Sequence, residues 1–329
     1  MTLFNGIRPF YIHGRTSFVF ATTHLLVILV FLVLALTFLI ILPGIRGKGR
    51  LYSFCRITLS LFVGVVIVVV NFTGDWESGY ATVVTPYKAF SNETIAARVG
   101  LHVGLEGINV TLTGLPKNQL NETIDYNENF LWRFTMNYDQ QYSRGLDRGL
   151  PHPIMYIAEK FHSRGPCLVL GQYRFSGHYT TAMMWVAFCA WIITNVLFCM
   201  STIVYGGYMV LVTSTFMIFG VIAFATTQNL PKCAIQFGAT TLTTSLSSSF
   251  WLTLATALLC FILGVIVITM DHCRPDKLKT FFMLDGDSDD DAEMNSGLIN
   301  QSFTDDYRDV LYLNSMKDGF KNKDFVVHT

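Results

Sequence analysis

The chain has 329 residues, of which 51% are hydrophobic and 14% charged, against about 25% charged in an average soluble domain. Lys and Arg balance Asp and Glu at 23 each, so no excess charge draws the chain to nucleic acid. The low charge and a mean hydropathy of +0.42 argue against one soluble globule and against a chain disordered throughout, and the apolar residues gather in blocks as membrane spans do.

An arm of residues 1–21 leads into Leu25 to Leu42, eighteen residues with no charge and one Thr. This block starts too far from Met1, and runs too long, for the apolar core of a cleaved signal peptide. Pro43-Gly44-Ile45-Arg46 follows it without a small-residue cleavage pattern, so it reads as an anchoring span at 22–42. After a loop at 43–53, the uncharged stretch Ile57 to Gly74 gives a second span at 54–72. Tyr179 to Pro231 holds no charge over 53 residues, which accommodates two spans of about 20 residues each. They are placed at 181–203 and 208–227, with a turn at 204–207 in Tyr205-Gly206-Gly207-Tyr208. Phe250 to Met270 supplies the last span, at 249–270. The expected fold is a membrane protein of five transmembrane helices.

Charge and sequons assign the same sides. Arg46, Lys48 and Arg50 lie between the first two spans and Arg56 at the start of the second, with no acid among them, and Arg274, Lys277 and Lys279 follow the last. Only Arg8 and Arg15 precede the first span, and only Lys232 lies in the loop at 228–248. The positive-inside rule puts the first loop and the tail at 271–329 in the cytosol and the N-terminus outside. The segment 73–180 then faces outward, and it holds the sequons Asn92-Glu93-Thr94, Asn109-Val110-Thr111 and Asn121-Glu122-Thr123. Such sequons accept glycans only on the lumenal side. Asn71-Phe72-Thr73, at the membrane surface, and Asn300-Gln301-Ser302, in the tail, are expected to stay unused.

This outer segment carries ten acids and nine bases, the balance of a folded domain. Val99, Leu101, Val103 and Leu105 alternate with polar or small residues, as do Ile108, Val110 and Leu112 beyond Glu106-Gly107. Period two on both sides of a glycine-containing turn predicts a β-hairpin, with Asn109 on its polar face. Pro153 opens a helix whose apolar face is Ile154, Ile157, Ala158 and Phe161. Phe130, Trp132 and Phe134 are read as core of this domain, with a partner-binding patch as the alternative.

Of the seven cysteines, Cys189, Cys199 and Cys260 lie in spans, and Cys55 and Cys273 at the cytosolic face. Cys167 and Cys233 face the oxidising side, one in each outer loop. A bond between the two is expected there, with cross-links to a partner as the alternative.

No His lies in the interior of a span, the nearest being His24, His178 and His272, so the chain lacks the axial ligands of a bis-histidine haem oxidase. The apolar interiors also lack Asp, Glu, Lys and Arg, which disfavours a coupled transporter. Asn195 and Gln228 read as interhelical hydrogen-bonders. Dinucleotide, phosphate-loop, zinc-protease and serine-hydrolase motifs are missing, and His152 and His162 lack metal-ligand spacing with Cys. No catalytic residue, metal or cofactor is expected. The tail run Asp285 to Asp291 starts like a calcium loop but has Asp290 at position six and Ser296 at position twelve, where the loop needs Gly and Glu. It reads as an acidic disordered tail in which Ser288 is a candidate kinase target.

Several segments carry a resemblance. They are Leu42-Pro43-Gly44-Ile45-Arg46-Gly47, Tyr87-Lys88-Ala89-Phe90-Ser91, and Gly104-Leu105-Glu106-Gly107-Ile108-Asn109-Val110-Thr111-Leu112-Thr113-Gly114. They continue with Gln119-Leu120-Asn121-Glu122-Thr123-Ile124-Asp125-Tyr126-Asn127-Glu128, Tyr156-Ile157-Ala158-Glu159-Lys160-Phe161, Ser176-Gly177-His178-Tyr179 and Tyr205-Gly206-Gly207. Together, up to about residue 282, they resemble the dual oxidase maturation factors.

The resemblance implies five spans, an outside N-terminus, and a small β-rich, glycosylated outer domain seated on the helices as in claudins. It implies a complex with dual oxidase, a membrane NADPH oxidase with a peroxidase-like ectodomain. The factor would let the oxidase leave the endoplasmic reticulum and stay with it at the plasma membrane, where hydrogen peroxide is made. Cys167 and Cys233 match family cysteines. Relatives often carry a sequon just before Tyr-Lys-Ala-Phe, where this chain has Val84-Thr85-Pro86, so Asn92 rests on its own sequon and not on the resemblance. The expected function is that of a non-enzymatic maturation factor and subunit, meeting the oxidase through the outer domain and the N-terminal arm around Phe10 and Tyr11. A claudin-like adhesion protein and a small carrier or channel are the rivals.

Overall fold

In lipid every backbone polar group needs an internal partner, so long apolar runs close into helices. The computed structural model describes residues 22–41, 49–87, 94–114, 124–133, 137–162, 169–200, 203–229 and 235–273. Among these residues, four helices are long and apolar enough to cross a membrane. They are α2 (Gly49–Phe72), α5 (Val169–Cys199), α6 (Ile203–Ala225) and α7 (Ser248–Cys273). The helix α1 (Thr22–Ile41) carries a shorter apolar stretch, Leu25–Ile41. Leu26, Leu29, Leu32, Leu36 and Ile40 of α1 are all half exposed or more. The described residues from Thr22 to Thr269 fall in one compact unit.

The expected turn at 204–207 is corrected by the structure. Tyr205, Gly206, Gly207 and Tyr208 all lie inside α6, and the chain passes between the helices from Cys199 to Ile203. The two glycines serve packing. A Cβ on Gly206 would stand 2.6 Å from the Phe198 ring, and one on Gly207 would stand 3.0 Å from Val267 Cγ1. Small residues let membrane helices approach closely.

Polar side chains tie the helices together. Ser60 Oγ on α2 donates to Asn195 Oδ1 on α5. Asn195 Nδ2 donates to Trp191 O at 2.7 Å, and Trp191 Nε1 returns to Ser60 O at 3.0 Å. Asn195 therefore acts between helices, as its sequence context suggests, while the Gln228 side chain lies outside the described residues. Ser176 Oγ donates to Ala223 O at 2.7 Å, joining α5 to α6, and Ser214 Oγ donates to Ala257 O at 2.8 Å, joining α6 to α7.

Between α2 and α5 the chain forms β1 (Glu77–Pro86), β2 (Thr94–Val103), β3 (Gly107–Gly114) and β4 (Asp125–Leu131). They make an antiparallel sheet in the order β4-β3-β2-β1-β7, closed by β7 (Ser245–Leu246) from just before α7. A separate hairpin joins β5 (Ile235–Phe237) to β6 (Thr240–Leu242). The hairpin expected from the alternation is β2–β3, with Val99 opposite Leu112, Leu101 opposite Val110 and Val103 opposite Ile108. All six side chains are buried. The helices α3 (Tyr138–Asp147) and α4 (His152–Lys160) pack against β4, β3 and β1. Ile154, Ile157, Ala158 and Phe161 are buried, which is the face expected of α4.

A row of aromatic rings runs from the top of the helices through this core. Phe250, Trp76, Phe224, Tyr173, Phe161, Trp132, Tyr138 and Phe130 follow one another with centroids 4.9 to 6.4 Å apart. Aromatic pairs at such separations add about 0.5–1.5 kcal/mol each beyond burial. Both indole N–H groups in the row are satisfied: Trp76 Nε1 donates to Val70 O at 3.0 Å and Trp132 Nε1 to Leu105 O at 2.9 Å. Phe130 and Trp132 are thus core, and Phe134 lies outside the described residues.

Candidate functional site

The sheet is fastened to the helix bundle at several points. The hydroxyl of Tyr173 on α5 donates to Glu77 Oε2 on β1 at 2.7 Å, and Glu77 is wholly buried. Ser249 Oγ on α7 donates to Thr73 Oγ1 at 2.9 Å, and the two residue pairs of β7 add a last strand to the β1 edge. Asn71 is buried there, its amide donating to Ile67 O at 3.1 Å, which leaves no room for a glycan.

The opposite face of the sheet is polar. His102 Nδ1 lies 2.6 Å from Asp75 Oδ1, and its Nε2 lies 2.8 Å from the Tyr80 hydroxyl. With Nδ1 protonated, the imidazole donates to the carboxylate and accepts from the phenol. Arg98 Cζ stands 4.7 Å from the centre of the same Tyr80 ring, a cation–π distance. A phenol, an imidazole and a carboxylate in series resemble an activated nucleophile. Among the described residues they lie on a sheet face, with Tyr80 half exposed.

On the neighbouring strand Asn109 Nδ2 donates to Asn127 Oδ1 and, at 2.6 Å, to Asn129 Oδ1 on β4. Beyond β4 lies α3, whose Gln141 Oε1 accepts the outward Leu131 N–H at 2.8 Å. This covers part of a strand edge that would otherwise offer itself for pairing. Arg148 bonds Glu128 Oε2 at 2.9 Å, and Arg133 pairs with Glu106. Buried Tyr138 donates to Ala158 O at 2.8 Å. Burial, then the neighbouring Tyr142 and Asp139, hold its phenol well above the usual tyrosine pKa. Between β4 and α3 opens a cleft of about 470 Å³.

The helices offer a second kind of surface. Trp251, Leu258, Phe261, Ile262 and Ile266 on α7 are exposed, as are Trp185, Ile192, Ile193 and Val196 on α5. Apolar surface of this extent is covered by lipid or by partner helices.

The profile of the family described as dual oxidase maturation factor matches residues 10–286. The chain belongs to the dual oxidase maturation factor family. It is 48% identical to human dual oxidase maturation factor 2 over 297 residues, which are 90% of this chain and 92% of that protein. It is 46% identical to human dual oxidase maturation factor 1 over 282 residues, 85% of this chain and 82% of the relative. Caenorhabditis elegans dual oxidase maturation factor 1 is 30% identical over 269 residues, 77% and 66% of the two chains. The family match spans every helix and strand from α1 to α7.

Of the residues expected to carry function in this maturation factor relative, Asn109 is described and sits on the polar sheet face. Asn92, Asn121, Cys167, Cys233, Phe10, Tyr11 and Ser288 lie outside the described residues. His162 Nε2 lies 3.3 Å from Asp139 Oδ1, and the His152 ring stacks on Tyr156. Among the described residues no group of three His, Cys, Asp or Glu side chains could hold a metal ion. Sequence reasoning missed Asp75, Tyr80 and Arg98, and the Glu77–Tyr173 bond. The alternation of β2 places His102 and Arg98 on the polar face, but nothing local pairs them with residues of β1.

Proposed function

We propose that this chain is a non-catalytic maturation factor and lasting subunit of dual oxidase. The observation that carries the reading is the family match over residues 10–286, together with relatives named for that role. The architecture supports it: a folded sheet domain is bolted to apolar helices whose outer faces are exposed. In this reading the chain crosses the membrane five times, α1 included. Its N-terminus and claudin-like sheet domain face outward and its tail lies in the cytosol. Asn92, Asn109 and Asn121 carry N-glycans, and Cys167 bonds Cys233. The sheet domain covers oxidase ectodomain, and the spans pack against oxidase helices. Without it, the oxidase exposes apolar surface and is retained in the endoplasmic reticulum. With it, the pair reaches the plasma membrane and makes hydrogen peroxide.

The test is oxidase maturation in cells lacking their own maturation factors. Full-length chain converts the oxidase from endoglycosidase-H-sensitive to resistant form, and the two co-purify from detergent. A chain lacking residues 1–20 and 73–180 does neither. An oxidase that matures equally well with the truncated chain contradicts the reading.

A further inference from the structure

We infer that the cleft between β4 and α3 seats the first sugars of the glycan on Asn109. The inference rests on the reading of Asn109 as glycosylated. It adds where the sugar goes and what holds it.

The linkage forms at Asn109 Nδ2 and replaces one of its two hydrogens. Both hydrogens point to β4, towards Asn127 Oδ1 and towards Asn129 Oδ1 at 2.6 Å. The first sugar therefore leaves across β4, away from β2. Asn129 is at the same time a wall of the cleft, which is lined by Asn129, Phe130, Gln141, Arg144, Asp147 and Arg148. The acceptor nitrogen thus bonds directly to a residue of the cleft wall. The volume of about 470 Å³ lies within the range of about 300–1,000 Å³ that holds small ligands.

The lining suits a disaccharide of N-acetylglucosamine. Arg144 and Arg148 bring donors, Asp147 brings acceptors, and Asn129 brings both. These meet the hydroxyl and acetamido groups of such a sugar. Leu131 N–H points outward to Gln141, and by strand alternation Asn129 N–H and C=O point outward too. Glycosylation costs Asn109 one of its two donated bonds. The Asn oxygen so released takes a sugar N–H or O–H in exchange.

The test uses the full chain, purified in detergent from cells that make only oligomannose glycans. Site-resolved mass spectrometry first reads occupancy at Asn109. Endoglycosidase H, which cuts between the first two sugars, is then followed over time on native and denatured protein. A seated core is cut only when it leaves the cleft, so native Asn109 is trimmed at least about tenfold more slowly than denatured. The double variant Arg144→Ala, Asp147→Ala abolishes that protection and leaves trimming at Asn121 unchanged. Both side chains are exposed, and the native-to-denatured ratio of unaltered protein needs no variant. Equal native and denatured rates overturn the inference alone, as does protection that survives the double variant. An Asn109 peptide without sugar overturns both the inference and the glycosylation reading.

Discussion

Gly177 on α5 lies against the backbone carbonyl of Leu105, in the turn between β2 and β3, so closely that a Cβ would run into the oxygen. The turn that carries the sheet thus rests directly on α5 near Gly177. Gly177→Val should destabilise the protein by about 1–3 kcal/mol, because backbone cannot move aside as a flexible side chain can. Gly171→Ala is the control on the same helix, since among the described residues no atom beyond its chain neighbours and its own helix backbone stands within 4 Å of an added Cβ. Thermal unfolding in detergent should separate the two, and only the valine variant should lower oxidase maturation.

Tyr173→Phe takes one donor from the buried carboxylate of Glu77. The expected loss is about 1–3 kcal/mol, the usual consequence of removing a partner from a buried polar group. Glu77→Gln keeps an acceptor for the phenol and should lose less. Equal unfolding midpoints for Tyr173→Phe and the unaltered chain would show that the sheet is held to α5 by packing alone.

Asn195→Ala should cost about 0.6–1.7 kcal/mol, the range for interhelical hydrogen bonds in membranes. It removes both the bond from Ser60 and the one to Trp191 O. A steric-trap or detergent unfolding series would measure it, and ion flux through reconstituted protein should be absent before and after the change. Flux that depends on Asn195 would favour the carrier reading.

How far the sequence led differs by element. The uncharged runs mark the four helices long and apolar enough to cross a membrane, and the β2–β3 alternation and the apolar face of α4 hold to the residue because each repeats with one clear period. The strand β7 has two residues and pairs with Glu77 and Ser78 from far along the chain, so it carries no period to read. The helix α3 is mostly polar, with only Tyr138 and Gly145 buried. Gly206 and Gly207 misled because a glycine pair looks alike in a turn and at a helix contact. Asp75, Tyr80 and His102 meet only once β1 and β2 pair.

Tyr138 should give the sheet domain an alkaline limit. Its folded pKa is raised, so the unfolded chain loses this proton first, from about pH 10 upward. Stability is fully present below that pH. It then falls by about 1.4 kcal/mol per pH unit until the folded phenol ionises too. Tyr138→Phe should cost about 1 kcal/mol at pH 7 through the lost bond to Ala158 O and flatten the alkaline slope. Unfolding midpoints between pH 8 and about pH 11 would show whether that slope exists.

The most direct measurement is extracellular hydrogen peroxide from cells without endogenous maturation factors, expressing this chain, dual oxidase, or both. Peroxide should appear only with both chains, with the oxidase at the surface and this chain co-purifying with it. Peroxide from the oxidase alone at the same level, or from this chain alone, would contradict the account.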